Sequence, residues 1–277
     1  MLSLAACGQG NPWPQIKPAI HDLAYANKSP SEKLDLYLPT NITKPAPLVV
    51  WIHGGGFKVG DKSAMPREDS GPPAFASWLG LYQIQVPNVA ALVDKGYAVA
   101  SLNYRLGSSF VEDALPGVQD GKAAVRFLRA NASKYKLDPN RFAVWGNSSG
   151  GYMAAILGVT GDQRTIFDDP RLGDTSFSSA VQACVVWFGA EDRLPPELKI
   201  ATYLSTAKKL PAFRIVNGDA DRTISVIQAQ RLQTALQQAG ATSTLTILPG
   251  AGHEDPAYMD TQMTPTFSFL DTVLGHE

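Results

Sequence analysis

The segment RFAVWGNSSGGYMAAILG, residues 141–158, places two adjacent serines between an apolar run and a pattern of small residues. Residues 142–145 have the composition of a buried strand, and the residues from Tyr152 onward have that of a helix. A strand that passes directly into a helix brings two backbones close together at the turn. Glycine lacks a Cβ atom, so the glycines on both sides of the serines permit this contact. The segment therefore requires a fold in which a strand, a sharp turn and a helix follow one another.

Apolar strand-like runs alternate with helical patterns along the rest of the chain. The eight predicted strands span residues 20–26, 34–39, 48–53, 97–104, 141–146, 181–189, 212–218 and 242–248. Helical periodicity is clearest in residues 121–135 and 223–240. The later strands are almost continuously apolar, which is typical of strands buried on both faces of a parallel sheet. This alternation predicts an α/β fold, with a mostly parallel eight-stranded sheet flanked by helices and an antiparallel start.

The composition is that of an ordered globular protein, since 44% of the 277 residues are apolar and 18% are charged. The 24 basic and 25 acidic residues nearly balance, so no global charge attracts the chain to nucleic acid or to an anionic membrane. No apolar run is long enough to span a bilayer. The two cysteines, Cys7 and Cys184, imply no disulfide framework, and Cys184 lies in a strand-like run as an expected core residue.

The first 19 residues include the sequence LAAC, which ends at Cys7 and resembles the lipobox of bacterial lipoprotein signal peptides. The basic and long apolar regions that usually precede a lipobox are missing. Two interpretations stay open. Residues 1–19 are either the remnant of an export leader, with a lipid anchor at Cys7, or the flexible tail of a cytoplasmic protein. Residues 20–277 are expected to form a single domain.

The sequence Gly146-Asn147-Ser148-Ser149-Gly150 fits the pattern G-x-S-x-G at a junction of strand and helix. In a nucleophile elbow the central serine lies on a strained turn, with its hydroxyl exposed above the sheet. Ser148 is therefore the candidate nucleophile, and the backbone N–H of Ser149 is a candidate donor to an oxyanion. The alternative is an ordinary serine-glycine turn that caps a helix.

A second motif, HGGGF at residues 53–57, follows the third predicted strand. Backbone N–H groups stabilise the negative charge of an acyl-transfer transition state only where side chains leave them accessible. We expect the N–H groups of Gly55 and Gly56 to provide this stabilisation. A phosphate-binding loop would need the complete pattern G-x-x-x-x-G-K-[ST], or a G-x-G-x-x-G opening a helix, and the residues after His53 match neither.

A serine nucleophile needs a base, which in turn needs an acid to orient it. The chain has four histidines, namely His21, His53, His253 and His276. His253 follows the last predicted strand, where a loop can carry it over the edge of the sheet, and it is the candidate base. The acid is expected between serine and histidine in the chain. Candidates are Asp219, Asp221, Glu191 and Asp192, and spacing alone does not choose among them.

These motifs together resemble the α/β-hydrolase superfamily over residues 30–275. The resemblance is strongest to small bacterial carboxylesterases that include feruloyl and acetyl-xylan esterase-like domains and the hormone-sensitive-lipase-like enzymes. It is carried by HGGGF, YAVASLNYRL, DGKAAVRFLRANASKYKLDPNRFAVWGNSSGG, NGDADRTI and GAGH, in that order. Two positions depart from the family pattern. Asn147 replaces a common glutamate before the serine, and Asn217 replaces the histidine that opens H-G-x-x-D.

The resemblance implies that Asp221 is the acid, because it matches the last position of H-G-x-x-D. It also implies a serine esterase that acts through an acyl-enzyme on a small-molecule ester, without metal or organic cofactor. Short-chain or aryl esters, including feruloyl and acetyl esters, are the expected substrates.

A long segment without clear periodicity, residues 61–88, follows the HGGGF loop and contains four prolines. Segments of this length without regular structure are usually functional or disordered, and aromatic residues argue against disorder. We predict that it forms a cap over Ser148. Candidate substrate-binding side chains are those of Phe57, Phe75, Trp78 and Tyr82, although the aromatic residues of the segment could equally pack it onto the core. Residues 190–210 are the other candidate pocket wall.

Two other functions stay open. The elbow also resembles that of prolyl-oligopeptidase-type peptidases, and an arylformamidase-like amidase would share the glycine loop. A non-catalytic binding protein would usually lack one member of the triad, whereas this chain has all three candidates.

Overall fold

The computed structural model of the chain describes residues 16–63, 87–189 and 191–275. Several predicted features lie outside these residues. They are Cys7, His276, most of the segment 61–88, and the three aromatic residues Phe75, Trp78 and Tyr82.

The described residues contain one eight-stranded sheet with the order β1-β2-β4-β3-β5-β6-β7-β8. Its strands are β1 (Ile20–Ala24), β2 (Lys33–Tyr37), β3 (Ala46–Ile52), β4 (Ala98–Leu102), β5 (Leu137–Asn147), β6 (Ala183–Trp187), β7 (Ala212–Gly218) and β8 (Ser243–Leu248). The pairs β1–β2 and β2–β4 are antiparallel, and all other pairs are parallel. The predicted α/β fold with an antiparallel start is confirmed.

Helices cover both faces of this sheet. They are α1 (Val89–Asp94), α2 (Ala114–Ala130), α3 (Ser149–Thr160), α4 (Ala201–Leu204), α5 (Val226–Gln238) and α6 (Ala257–Leu274), with a short 3₁₀ turn at Pro196–Leu198. The sequence patterns did not single out α6, which contains Pro265. A proline inside a helix removes a hydrogen bond, so tertiary packing has to hold this helix together. None of the helices in the described part of the chain is both long and apolar enough to cross a membrane.

The core has two parts, one on each face of the sheet, because alternate residues of each strand point to opposite sides. A row of three buried indole rings crosses one face. Trp145 lies between Trp51 and Trp187, with ring centroids 5.7 and 5.0 Å apart and edge-to-face geometry. Pairs of this kind add stabilisation beyond the burial of apolar area. The row therefore ties together the three strands β3, β5 and β6 close to the edge of the sheet at which Ser148 lies.

Helix α3 crosses the end of strand β3 with no side chain between their backbones. A Cβ atom on Gly150 would lie 2.1 Å from the carbonyl oxygen of Ile52 and 2.6 Å from that of His53. A Cβ atom on Gly146 would lie 2.1 Å from the carbonyl oxygen of Gly150. Only glycine fits at these positions, and the contact brings the loop after β3 directly beside the turn at Ser148.

We expect Gly150→Ala to destabilise the fold because its methyl group would meet backbone atoms that cannot rotate away. Overpacking of this kind costs about 1–3 kcal/mol. Chemical denaturation of the variant should show this loss as a lower midpoint. The matched control is Gly252→Ala, since a Cβ atom at Gly252 meets nothing within 4 Å. Equal midpoints for the two variants would contradict the proposed crossing.

Candidate active site

Ser148 lies on the turn between strand β5 and helix α3. Its backbone has φ 54° and ψ −120°, a conformation that is uncommon for any residue with a side chain. Its N–H donates to the carbonyl of Trp187 at 3.0 Å, and its carbonyl accepts from Tyr152 at 3.0 Å. Strain of this kind persists only where surrounding structure enforces it, and it concentrates at functional sites.

The imidazole of His253 connects Ser148 to Asp221. Nε2 of His253 lies 3.3 Å from Oγ of Ser148, and Nδ1 lies 2.8 Å from Oδ2 of Asp221. An ionised carboxylate only accepts hydrogen bonds, so Nδ1 carries the proton and Nε2 is left free to accept one. The longer contact to the serine is usual in a site without substrate, where such hydrogen bonds are often loose. The three predicted triad residues are thus brought together.

Asp221 is held in place from the side opposite to the histidine. Its Oδ1 accepts the backbone N–H groups of Thr223 and Ile224, both at 2.8 Å, while Oδ2 faces His253. The side chain is buried. One oxygen therefore fixes the carboxylate on its turn, and the other orients the imidazole.

The other candidate acids have different partners. Asp219 is exposed and accepts the N–H of Gly250 at 2.7 Å, which joins the turn after β7 to the loop after β8. Glu191 accepts the N–H of Ile200 at 2.7 Å. Asp192 is exposed, 3.8 Å from a guanidinium nitrogen of an arginine on α5. Within the described part of the chain, Asp221 is the carboxylate that contacts His253, as the family resemblance implied.

A phenylalanine that no motif indicated packs against the imidazole. The ring of Phe188 lies 4.8 Å from that of His253, at 70°, and 4.6 Å from that of Tyr258. Phe188 has φ 38°, and its N–H donates to Val216 at 2.8 Å. The hydroxyl of Tyr258 accepts the N–H of Gly218 at 2.6 Å. The imidazole is therefore oriented by ring packing as well as by its hydrogen bonds.

The two predicted oxyanion glycines lie in conformations that favour glycine, with φ 109° at Gly55 and 64° at Gly56. A Cβ atom on Gly55 would lie 2.0 Å from the carbonyl oxygen of Val59. The N–H of Gly56 donates to Oγ of Ser149 at 3.0 Å. The hydroxyl of Ser149 thus ties the glycine loop to the elbow, a contact that the sequence did not predict.

The first residue of the HGGGF motif, His53, supports the loop from within the core. Its Nδ1 lies 2.7 Å from the carbonyl oxygen of Gly54, and its ring stacks on Tyr104 with centroids 4.5 Å apart. The hydroxyl of Tyr104 donates to the carbonyl of His53 at 2.9 Å. Burial lowers the pKa of His53, which favours a neutral imidazole. Tyr104 lies in the quoted YAVASLNYRL, at the end of the strand predicted over residues 97–104, and that pattern did not single it out.

Phe57, a predicted substrate-binding residue, has no exposed surface. Its ring packs against those of Tyr104, Phe110 and Tyr152, with centroids 5.9, 5.5 and 6.3 Å away. In this structure the side chain is therefore part of the core that supports the glycine loop.

The two asparagines that depart from the family pattern are both buried. Nδ2 of Asn217 donates to the carbonyls of Gly218 at 3.0 Å and Ile224 at 3.2 Å, which closes the turn that carries Asp221. Asn147 lies against Gly54, since a Cβ atom added to Gly54 would be 3.2 Å from Nδ2 of Asn147. Both amides therefore support the loops of the site without touching its reactive atoms.

A small, partly open pocket lies between helix α3 and the segment after β6. Tyr152, Gly189, Glu191 and Ile200 are among its lining residues. Burial raises the pKa of Glu191. The cavity begins one helical turn after Ser148, beside the residues predicted as the second pocket wall.

Together, the mostly parallel sheet, the serine on a strained turn after β5 and the histidine after β8 define an α/β-hydrolase. The match to a family model agrees with this class. The BD-FAE model matches residues 34–75 and 79–202, more than half of the chain, and the chain belongs to this family.

Curated relatives with similar sequences are esterases by name. The chain is 25% identical over 261 residues to the isoprenylcysteine alpha-carbonyl methylesterase ICME of Arabidopsis thaliana, covering 82% of this chain and 54% of that protein. It is 26% identical over 255 residues to the esterase LipC of Mycobacterium tuberculosis, covering 81% and 57%. The chain thus spans about half the length of the curated relatives it matches.

Solved structures share the fold over nearly the whole chain. A truncated form of a carbohydrate esterase from gut microbiota has a TM-score of 0.75 and 25% identity, covering 94% of this chain and 100% of that one. Esterase 2 of Thermogutta terrifontis, phosphonylated by cyclosarin, has a TM-score of 0.72 and 20% identity, covering 95% and 97%.

The contacts of Asp219 and Asp221 predict different effects on kcat when each aspartate is replaced by asparagine. Asp221→Asn should lower kcat for an aryl acetate by about 10⁴-fold, because an amide in this position favours the wrong histidine tautomer. Asp219→Asn is the matched control, and it should retain most activity because an amide oxygen still accepts the N–H of Gly250. A large loss in Asp219→Asn with little loss in Asp221→Asn would reverse the assignment.

Proposed function

We propose that this chain is a serine carboxylic-ester hydrolase that works through an acyl-enzyme. The observation that carries the proposal is the hydrogen-bonded series Ser148–His253–Asp221 on a strained turn, beside a loop of glycine N–H groups. The names of its relatives, which are esterases, support the same conclusion.

In the first half of the reaction His253 acts as the general base. Its Nε2 takes the proton of Ser148 while Oγ attacks the ester carbonyl, and the proton then passes to the leaving alkoxide. Asp221 holds Nδ1 and stabilises the positive charge that develops on the ring. The first half ends with the acyl group on Ser148 and the alcohol released.

The oxyanion forms beside the glycine loop. The backbone N–H groups of Gly55, Gly56 and Ser149 are the proposed donors, and fixed donors of this kind supply a large part of the rate enhancement. In the structure without substrate, the N–H of Gly56 is engaged with Oγ of Ser149. The oxyanion therefore has to share this donor with the serine hydroxyl or displace it.

In the second half a water molecule replaces the alcohol. His253 removes a proton from the water, which attacks the acyl carbonyl, and the proton returns to Ser148 as the acid is released. The sequence of steps uses side chains and backbone amides of the chain alone.

The proposed substrates are short-chain or aryl esters, including acetyl and feruloyl esters of carbohydrates. The support is the carbohydrate esterase among the similar structures and the BD-FAE family itself. The pocket beside Tyr152, between helix α3 and the segment after β6, is the proposed place for the acyl group.

The direct test is hydrolysis of p-nitrophenyl acetate, butyrate and decanoate by the wild type and by Ser148→Ala. We expect the wild type to prefer the shorter acyl groups, and the variant to lose about 10⁴- to 10⁶-fold in kcat, as other triads do without their serine.

Methyl ferulate and p-nitroacetanilide complete the same experiment. Turnover of methyl ferulate would extend the range to feruloyl esters. Faster turnover of the anilide than of the matching acetate would show an amidase instead. Equal rates of ester hydrolysis by the wild type and Ser148→Ala would contradict the proposed mechanism.

A further inference from the structure

A second carboxyl group lies next to the histidine of the site. Glu254 follows His253 directly and is 94% buried, with only 6% of its surface exposed. In the described part of the structure, its Oε2 has no hydrogen-bond partner. Its backbone has φ 59°, in the left-handed region that favours glycine. A buried carboxyl oxygen without a donor and a strained backbone both cost stability, and their coincidence beside the proposed base indicates a function.

The charges around this carboxyl belong to the triad. Burial raises the pKa of Glu254 to about 7, the imidazole of His253 lowers it, and the carboxylate of Asp221 raises it. Two other carboxylates near His253 accept hydrogen bonds from the backbone. Asp219 accepts the N–H of Gly250 at 2.7 Å, and Asp255 accepts that of Ala257 at 2.9 Å. The two charged groups that act on the pKa of Glu254 are therefore His253 and Asp221.

We propose that Glu254 is a positioning residue for the ester hydrolysis, an inference that rests on the proposed function. Its carboxylate stabilises the imidazolium that forms when His253 takes the proton of Ser148. No proton or atom is transferred to Glu254 in this step. The positive imidazolium of His253 is then stabilised by two negative charges, one on Asp221 and one on Glu254.

The coupling works in both directions. If positive charge on His253 favours the ionised form of Glu254, then ionised Glu254 must favour the imidazolium to the same extent. Below about pH 6 Glu254 is largely protonated and contributes no charge, whereas above about pH 8 it is ionised. The contribution of Glu254 to the rate must therefore appear as the pH rises through the interval around 7.

The test is the ratio of kcat/KM between the wild type and Glu254→Gln as a function of pH, with an aryl acetate as substrate. Glutamine resembles the protonated carboxyl, so the ratio should be close to one at about pH 5.5. It should rise to about 5- to 10-fold at about pH 8.5, which corresponds to a coupling slightly below one pKa unit. Glu254→Asp, which keeps a carboxyl, should recover part of the rise.

Two features separate this role from a structural one. A variant that merely distorts the site loses activity equally at every pH. A ratio that does not change with pH, whether near one or far above it, would therefore overturn the proposal.

The matched control is Asp260→Asn, which removes an exposed carboxylate from the first turn of α6. Its ratio should stay near one at all pH values, and a rise equal to that of Glu254→Gln would mean that general surface charge is the cause.

The thermal stability of the same variant gives a readout that does not depend on activity. In the folded wild type, Glu254 keeps its proton up to about pH 7, whereas the same residue in the unfolded chain releases the proton near pH 4.5. The wild type therefore loses stability as the pH rises through this interval, and Glu254→Gln does not. The wild type and Glu254→Gln should have the same Tm near pH 4.5, the ordinary pKa of glutamate. At pH 8 the variant should have the higher Tm. A lower Tm for the variant at pH 8 would overturn the proposal.

Labelling with a fluorophosphonate distinguishes failure of this inference from failure of the proposed function. The reagent reacts with a serine that His253 activates, and it requires no natural substrate. If the wild type labels at Ser148, the pH dependence of the labelling rate can replace the ester assay, with the same expected ratio. If Ser148 does not label and no ester is hydrolysed, both the function and the role of Glu254 are wrong.

Discussion

The site depends on the crossing of helix α3 over the end of strand β3 without an intervening side chain. Gly150 meets the carbonyls of Ile52 and His53, so the glycine loop and the serine turn lie in contact and are not joined through solvent. The positions of the proposed oxyanion donors relative to Ser148 are consequently set by strand β3 and helix α3. Catalysis by fixed dipoles requires this arrangement, because donors that reorganise during the reaction contribute little.

Local patterns were sufficient to predict the strands and the motifs, because a buried strand and a glycine turn are each encoded by adjacent residues. The carboxylate that pairs with His253 could not be identified from adjacent residues. Asp219 and Asp221 occupy the same turn, and their roles differ only through the N–H groups and the histidine that each one meets in three dimensions. The family resemblance indicated Asp221 where residue spacing could not.

The residues that the sequence did not indicate all act through contacts distant in the chain. Tyr104, after β4, contacts His53 after the neighbouring strand β3, and Phe188 contacts His253 from the end of β6. Helix α6 escaped prediction for a related reason, since Pro265 opposes helix formation locally and only packing against the sheet compensates for it. Such residues fit apolar or turn patterns equally well, so composition gives them no distinguishing signal.

Backbone strain in the described part of the chain concentrates at the site. Seven residues other than glycine have positive φ, and four of them, Phe57, Ser148, Phe188 and Glu254, belong to the glycine loop, the elbow or the surroundings of His253. Each such conformation costs about 1–3 kcal/mol, which is large compared with the net stability of a domain. The row of indole rings near the same edge of the sheet packs the three strands β3, β5 and β6 together. Glycine would adopt these conformations at lower cost, so the side chains kept at Ser148 and Glu254 agree with a functional role for this edge of the sheet.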